Sequence, residues 1–384
     1  MIAEILFLGA CTLILYAYIG YPALITIMSL FSGSRVITKG IEPFVSLLIS
    51  AYNEEKDIGR KLDNSLSLDY PKDKFEIIVA SDGSSDATDK IVKSYENNDK
   101  GVKVVLHRVE GRLGKTAAQN SAITICRGEI IIFSDAASLY DLGAIGALVR
   151  NFADSTIGAV SGMCKYVNKT GTSVGFATIL FWKLESFIKN NQTKIRTATG
   201  CSGCIYAARK NLYTALPPSI ISDLVEPLTI VKKGYRIAFE PLALAFEETT
   251  EKPKDEFKMR VRVIVRGMNG LLFMRSLLNP LKYPFVSFQL LSHKVLRWFV
   301  PVFCIVAFFS SLYLSLDSRQ YQILFIAQCL FYLLALCGLL LEKKGIRMKL
   351  FYLPMYFAVV NTASLISLFK VLKGENIVVW QTQR

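Results

Sequence analysis

The chain has 384 residues, 52% of them hydrophobic, a mean hydropathy of +0.36 and a formal net charge of +14. That apolar share excludes an ordinary soluble protein, and the length suggests two or three structural units. The basic excess is concentrated, with ten Lys/Arg against two acids in residues 252–297; a basic, aromatic-dotted stretch before an apolar run reads as a membrane-interface segment, and with no DNA or RNA motif present nucleic acid is excluded as a partner.

The first predicted element is an uncharged apolar run over 5–31, long enough to cross a bilayer, which takes ~17–25 residues. It lacks a basic start and a clear cleavage site, so residues 1–33 read as a retained transmembrane anchor. Strands and helices then alternate. Residues 44–50 read as a buried strand, 54–68 as a helix with Ile58, Leu62 and Leu66 on one face, 75–80 as a strand, and 85–95 as a helix capped by Ser85 or Asp86. A strand over 102–106, an Ala-rich helix over 116–126, a strand over 130–133, a helix over 142–152 and a strand over 157–161 follow. This alternation predicts an α/β domain over 40–250, its mostly parallel sheet covered by helices on both faces. The basic interfacial segment occupies 251–297, apolar runs over 299–316, 320–341 and 350–369 form membrane helices within 298–371, and 372–384 is a tail.

Basic residues beside the spans orient the chain. Arg35 and Lys39 follow the first span, and Lys343, Lys344, Arg347 and Lys349 lie between the third and fourth. Both segments, and with them residues 40–295, are expected in the cytoplasm. Four full crossings put the C-terminus outside, whereas Lys370, Lys373 and Arg384 argue for inside; full crossing, re-entry and a short additional neighbour all stay open. Cys201 and Cys204 form a lone C-x-x-C in a chain with two His, which reads as buried thiols in a reducing compartment rather than a zinc site. The sequons at Asn168–Thr170 and Asn191–Thr193 are discounted for a cytoplasmic domain.

Three carboxylates carry the chemistry. Asp82 ends the strand before Gly83-Ser-Ser-Asp86, Asp135 ends the run Ile-Ile-Ile-Phe-Ser-Asp, and Asp223 opens the helix-like stretch Ser-Asp-Leu-Val-Glu-Pro-Leu. In an open α/β sheet, the C-terminal ends of buried strands are where ligands bind. Asp82 can accept from the imino N–H of a pyrimidine. Asp135 can hold Mg²⁺ or Mn²⁺ against phosphate oxygens. Asp223 can take the proton of an attacking hydroxyl, and one base opposite the leaving group implies inversion. Small residues in Ser50-Ala-Tyr-Asn-Glu-Glu55, Ala51 among them, let a nucleotide approach the backbone. Gly111-Arg-Leu-Gly-Lys-Thr116 is not a phosphate loop, because Val109 stands where that motif needs Gly; Arg112 and Lys115 can still neutralise a diphosphate. Gly203, in the small-residue turn 200–206, lines either a sugar pocket or a close backbone contact.

With these residues in order, the chain resembles the membrane-bound glycosyltransferases of family 2, of GT-A fold. The resemblance rests on SAYNEE (50–55), ASDGSSDAT (80–88), GRLGKTAAQNSAI (111–123), FSDAAS (133–138), GCSGCIYAAR (200–209) and SDLVEPLTIVKKGYR (222–236), with residues 279–301 similar to the interfacial segment of bacterial exopolysaccharide-type members. It implies that Asp82 contacts uracil, Tyr52 and Glu54 hold the nucleoside, Lys115 approaches the phosphates, Asp135 is the first acid of the DxD metal motif and Asp223 is the catalytic base. The sequence departs from the family in two places. Ala137 replaces the second DxD acid, and the QxxRW motif of processive synthases reads Val263-Ile-Val-Arg266-Gly267, keeping only its Arg. Arg262 and Arg266 are expected to meet the diphosphate or lipid headgroups. The expectation is therefore an inverting enzyme of the bacterial inner membrane, moving a sugar from a UDP-sugar to a lipid-linked or glycan acceptor with Mg²⁺ or Mn²⁺. Its partners are the nucleotide-sugar donor, that acceptor and membrane lipids. A second copy of the chain or other polysaccharide-assembly proteins stay open as partners, as do a processive, exporting synthase and an inactive nucleotide-sugar-binding subunit as alternatives.

Overall fold

The computed structural model describes residues 1–169, 171–250, 252–346 and 348–378. Thr170 of the first sequon, Glu251 at the start of the basic segment, Arg347 and Arg384 of the orienting residues, and the tail beyond 378 lie outside the described residues.

One sheet of eight strands forms the core: β1 (Val45–Ala51), β2 (Phe75–Ser81), β3 (Lys103–Arg108), β4 (Ile130–Asp135), β5 (Leu139–Tyr140), β6 (Ile157–Val167), β7 (Ile205–Arg209) and β8 (Arg236–Glu248), in the order β3-β2-β1-β4-β7-β6-β8-β5. The β3-β2-β1-β4 half is parallel, whereas β7 runs antiparallel to both β4 and β6. Every residue of β1 and β2 is buried, which is why these strands read as continuous apolar runs rather than as alternation. The register sets Ala51 beside Ser81 and Ser50 beside Asp135, so the three motif-bearing strand ends open on one edge.

The helices are α1 (Ile2–Phe31), α2 (Ile58–Leu66), α3 (Thr88–Ser94), α4 (Lys115–Ile123), α5 (Ala144–Val149), α6 (Ser173–Ile195), α7 (Ser222–Lys232), α8 (Pro253–Phe273), α9 (Pro284–Leu314), α10 (Arg319–Lys343) and α11 (Lys349–Leu372). One face of the sheet packs Leu47 and Ile49 against Ile58 and Leu62 of α2 and Leu148 of α5. The other packs Leu48 and Ile78 against Ala118 and Ala122 of α4 and Val225 and Leu228 of α7. Helix α2 starts later than its apolar spacing predicts, because Asn53 takes φ +52 and residues 54–57 turn. Helix α3 also starts late: the Asp86 carboxylate accepts from the Thr88 N–H at 3.0 Å and holds a turn ahead of the helix.

Helices α1, α9, α10 and α11 are long and apolar enough to cross a membrane. Helix α9 begins at Pro284, so the last part of the segment read as interfacial continues unbroken into a span. The C-terminal end of α10 reaches the catalytic domain through Glu342, which bonds Ser173 at the start of α6. Helix α11 starts against that end and packs along α8 through Ala363.

Candidate functional site

The loops after β1 and β2 are tied together. Asn53 N–H donates to Ser84 Oγ at 3.2 Å, Glu54 N–H to Thr88 Oγ1 at 2.8 Å, and Ser85 N–H to Asn53 Oδ1 at 2.8 Å. Asn53, a polar group that could have faced a base, thus holds the neighbouring loop instead. The Tyr52 ring lies beneath the Arg112 guanidinium at 4.1 Å, a cation–π contact. Ala51 is buried, and its carbonyl accepts from the Asp82 N–H at 3.0 Å.

The buried Asp82 carboxylate accepts from Leu113 N–H at 2.8 Å and from Gly114 N–H at 2.9 and 3.0 Å. Burial raises its pKa above the usual aspartate value, against those amides and Arg112. Asp82 thereby fixes the loop that ends in Gly114, whose φ of +96 suits glycine alone. The next residue, Lys115, opens α4, and its ammonium meets the Asp135 carboxylate. Burial works against the charged Lys115, but Asp135, Asp223 and Glu247 outweigh it and hold the ammonium above the usual lysine value.

Asp223 stands in the first turn of α7. It is half-buried, and its Oδ1 is fully enclosed without a hydrogen-bond partner among the described residues. Burial raises its pKa, as does Asp135, while Lys115, Arg266 and Lys189 oppose. Gly203 lies directly against this carboxylate. Arg266 is buried, donates from Nη2 to the Ile220 carbonyl at 2.8 Å and Thr116 Oγ1 at 3.2 Å, and feels the Asp223 charge. Its guanidinium points into the protein, not to lipid headgroups. Arg262 has its pKa lowered by burial, with Asp135 opposing. The structure therefore joins Lys115 to Asp135 and sets Asp223, Arg262 and Arg266 within electrostatic reach of that pair or of one another. Asp82 joins them through the Gly114–Lys115 backbone.

Two further charged groups sit beneath the site. Lys61 is wholly buried, donates to the Ser138 carbonyl at 2.6 Å and lies 3.7 Å from the Tyr140 ring centroid. Burial lowers its pKa to about 7, with Asp135, Cys204 and Glu247 opposing. Glu247 accepts from the Ser138 hydroxyl. Together they clamp the turn after Asp135. A signal for Lys61 was available: it lies three residues after Ile58 on the apolar face of α2, where a solvated lysine does not belong. Ala137 is buried in the same turn. Among the described residues no three His, Cys, Asp or Glu side chains gather to hold a metal. Asp135, whose side chain is 37% exposed, suits a divalent cation that takes its other ligands from phosphate and water.

A mixed sheet with its carboxylates on the C-terminal strand edge, mounted on apolar helices, defines a membrane-associated GT-A glycosyltransferase-type protein. Residues 46–215 match the Glycosyl transferase family 2 model, and the chain carries a domain of that family. It is 30% identical over 234 residues to the poly-beta-1,6-N-acetyl-D-glucosamine synthase of Staphylococcus aureus, covering 59% of this chain and 55% of the relative. It is equally similar, at 30% over 230 residues, to the probable glycosyltransferase YdaM of Bacillus subtilis, covering 57% of this chain and 54% of that one. The chain thus spans about half the length of these curated relatives. The mannosyltransferase PcManGT of Pyrobaculum calidifontis, solved with GDP-Man and Mn²⁺, shares the fold with a TM-score of 0.73 at 20% identity, over 96% of this chain and 99% of that one.

Proposed function

We propose that this protein is an integral membrane, inverting glycosyltransferase that moves a sugar from a nucleotide-sugar to a lipid-linked or glycan acceptor at the cytoplasmic membrane face. The observation that carries the reading is the meeting of Lys115 with Asp135 within the electrostatic reach of Asp223. It supports one cleft in which a diphosphate and an attacking hydroxyl lie side by side.

Asp82, Tyr52 and Glu54 are the proposed nucleoside contacts, Asp82 acting also through the 113–114 loop that it holds. Lys115, Arg262 and Arg266 balance the charge of the diphosphate. Asp223 accepts the acceptor's hydroxyl proton as the oxygen bonds to the anomeric carbon, and the bond from that carbon to the diphosphate oxygen breaks with its electron pair leaving on the nucleoside diphosphate. A Mg²⁺ or Mn²⁺ at Asp135 would supply Lewis-acid neutralisation of that leaving group. The donor is a UDP-sugar by resemblance to the family, and the GDP-Man held by PcManGT makes guanosine donors the first comparison. Incubating the purified protein with UDP- and GDP-sugars, with and without Mn²⁺ and membrane lipid extract, tests the reading. Free nucleotide should appear with one donor and rise with the extract; no release from any donor under any of these conditions overturns it.

The similarity to poly-beta-1,6-N-acetyl-D-glucosamine synthases favours a second reading, a processive synthase. Product length decides between them: single-sugar products support the first reading and long polymer the second.

A further inference from the structure

A cavity of about 590 Å³ runs from Asp223 into the membrane helices, within the usual range of ligand sites. Its walls are hydrocarbon and aromatic, built by residues such as Ile14 of α1, Leu180 and Phe181 of α6, Ile264 of α8, Trp298 of α9 and Val360 of α11. A channel carrying a polar glycan would not be walled by this much aliphatic surface.

The same cavity holds a surplus of positive charge, buried at Lys189 and half-buried at Lys294 and Arg297. Glu185 accepts from His293 Nε2 at 3.1 Å and from Lys294 at 3.2 Å, and it also meets Arg297. Burial works against its charge, but Lys294, His293 and Arg297 hold its pKa well below the usual glutamate value. Lys189 is buried and donates at 2.9 Å to the neutral Ser202 hydroxyl. Three cations, Lys189, Lys294 and Arg297, thus face Glu185, with Asp223 the only other carboxylate of the described lining to act on Lys189. The other charged groups along the wall have partners of their own. Arg260 is bonded to Glu256, and Asp223 feels Lys115, Arg266 and, more weakly, Lys189. Arg297 Nε and Nη2 are enclosed and have no hydrogen-bond partner among the described residues. Unbalanced buried charge is costly, so it marks a place for an anion.

From this combination we infer that the cavity binds a single-chain lipid with a phosphate head, its hydrocarbon between α1, α6 and α11 and its phosphate at Lys189, Lys294 and Arg297. A phosphate that joins the chain to a hydroxyl-bearing head group keeps about one negative charge, and guanidinium is well shaped to receive its free oxygens. The inference rests on the glycosyl-transfer reading in one respect: it makes this lipid the carrier of the acceptor hydroxyl. The turn that links the two ends bonds Lys189 through Ser202 and touches Asp223 through Gly203. A phosphate at the first therefore leaves a head-attached hydroxyl near the second.

The test is equilibrium binding by native mass spectrometry, with the full chain in phosphatidylcholine nanodiscs. The probes are hexadecyl phosphate, hexadecanol and palmitate. Hexadecyl phosphate should bind about tenfold or more tighter than hexadecanol, the worth of a charge-assisted bond, with palmitate between. Arg297→Gln should remove most of that preference, and Leu180→Trp, which fills the chamber away from the charges, should weaken all three lipids. Equal binding of phosphate and alcohol, a preference unchanged in Arg297→Gln, or undiminished binding in Leu180→Trp would each overturn the inference. Nucleotide binding reports whether each variant is folded; if Arg297→Gln is not, the wild-type preference and Leu180→Trp decide. Failure here alongside nucleotide release from a sugar donor removes the lipid and leaves the glycosyl-transfer reading standing.

Discussion

A Cβ added to Gly203 would lie 2.5 Å from Asp223 Oδ2, so the carboxylate proposed as the base rests on a residue that has room for it only as glycine. Gly203→Ala should push Asp223 out of line, lowering kcat while the KM for the donor stays near its wild-type value. Asp223→Asn keeps the shape and removes the proton acceptor. It should bind nucleotide normally and lose about 10²–10⁴ in turnover. Steady-state kinetics beside nucleotide titration checks both; wild-type turnover in Asp223→Asn would eliminate this residue as base.

Lys115 and Asp135 neutralise each other in the cleft. Removing the ammonium with Lys115→Met frees the carboxylate for a divalent cation and deprives the diphosphate of a partner. Mn²⁺ titration by electron paramagnetic resonance, without donor, should give tighter binding than wild type. Nucleoside diphosphate affinity should fall by about 10–100-fold, the range for a charge-assisted bond. Asp135→Asn should weaken Mn²⁺ in the same assay. Unchanged Mn²⁺ affinity in both variants would remove Asp135 as the cation's ligand.

The legible part of this molecule was its parallel half. Strands β1, β2 and β4 are short apolar runs each closed by a motif, and burial on both faces writes that pattern directly into the sequence. Asp82 and Asp135 were visible for the same reason, as carboxylates just past or at a strand end. Of the other half only the start of β6, over 157–161, was visible. Strand β7 is only Ile-Tyr-Ala-Ala-Arg after a glycine-rich turn, and β8 carries Glu240 and Pro241 in its middle. These segments become strands through partners far away in sequence, as when Ala207 pairs with Ile132 and Val160. The backbone amides that occupy Asp82 were hidden because they belong to a loop whose path depends on Gly114.

Glu226 is wholly buried one turn after Asp223, and neither carboxylate oxygen has a hydrogen-bond partner among the described residues. Burial pushes its pKa to about 8, against a smaller pull from Lys233. The folded protein therefore keeps a proton that the unfolded chain loses near pH 4.5. This protonation favours the fold fully below that pH, and the benefit is lost as pH rises towards 8. Glu226→Gln is neutral throughout. The Tm of the detergent-solubilised variant, relative to wild type, should rise steadily from pH 5 to pH 8. A constant difference across that range would show that Glu226 does not titrate in this way.

Helix α11 has 24 residues, about 36 Å at 1.5 Å per residue, so length and composition alone say that it crosses the bilayer. Its contacts bring both ends beside the catalytic domain. The end of α10, held to the catalytic domain by Ser173 and Glu342, packs through Gly338 on Phe351 and Met355 at the start of α11. Farther along, the Tyr356 hydroxyl accepts from Arg260 at 2.7 Å and Ser367 Oγ donates to the Val261 carbonyl at 3.3 Å, both on α8. Beyond the helix, Asn269 Nδ2 donates to the Glu375 carbonyl at 3.1 Å and to Asn376 Oδ1 at 2.8 Å, and Val378 lies against Gly114. Both ends of α11 thus meet the catalytic side, which removes the conflict between four apolar helices and the basic residues Lys370 and Lys373. In a cysteine-free background, Gly374→Cys should react with a membrane-impermeant maleimide from the same side as Lys100→Cys in the catalytic domain. Asp317→Cys, between α9 and α10, should react only from the opposite side. If Gly374→Cys instead labels together with Asp317→Cys, α11 crosses fully and the contact of Val378 with the Gly114 loop cannot exist in the membrane.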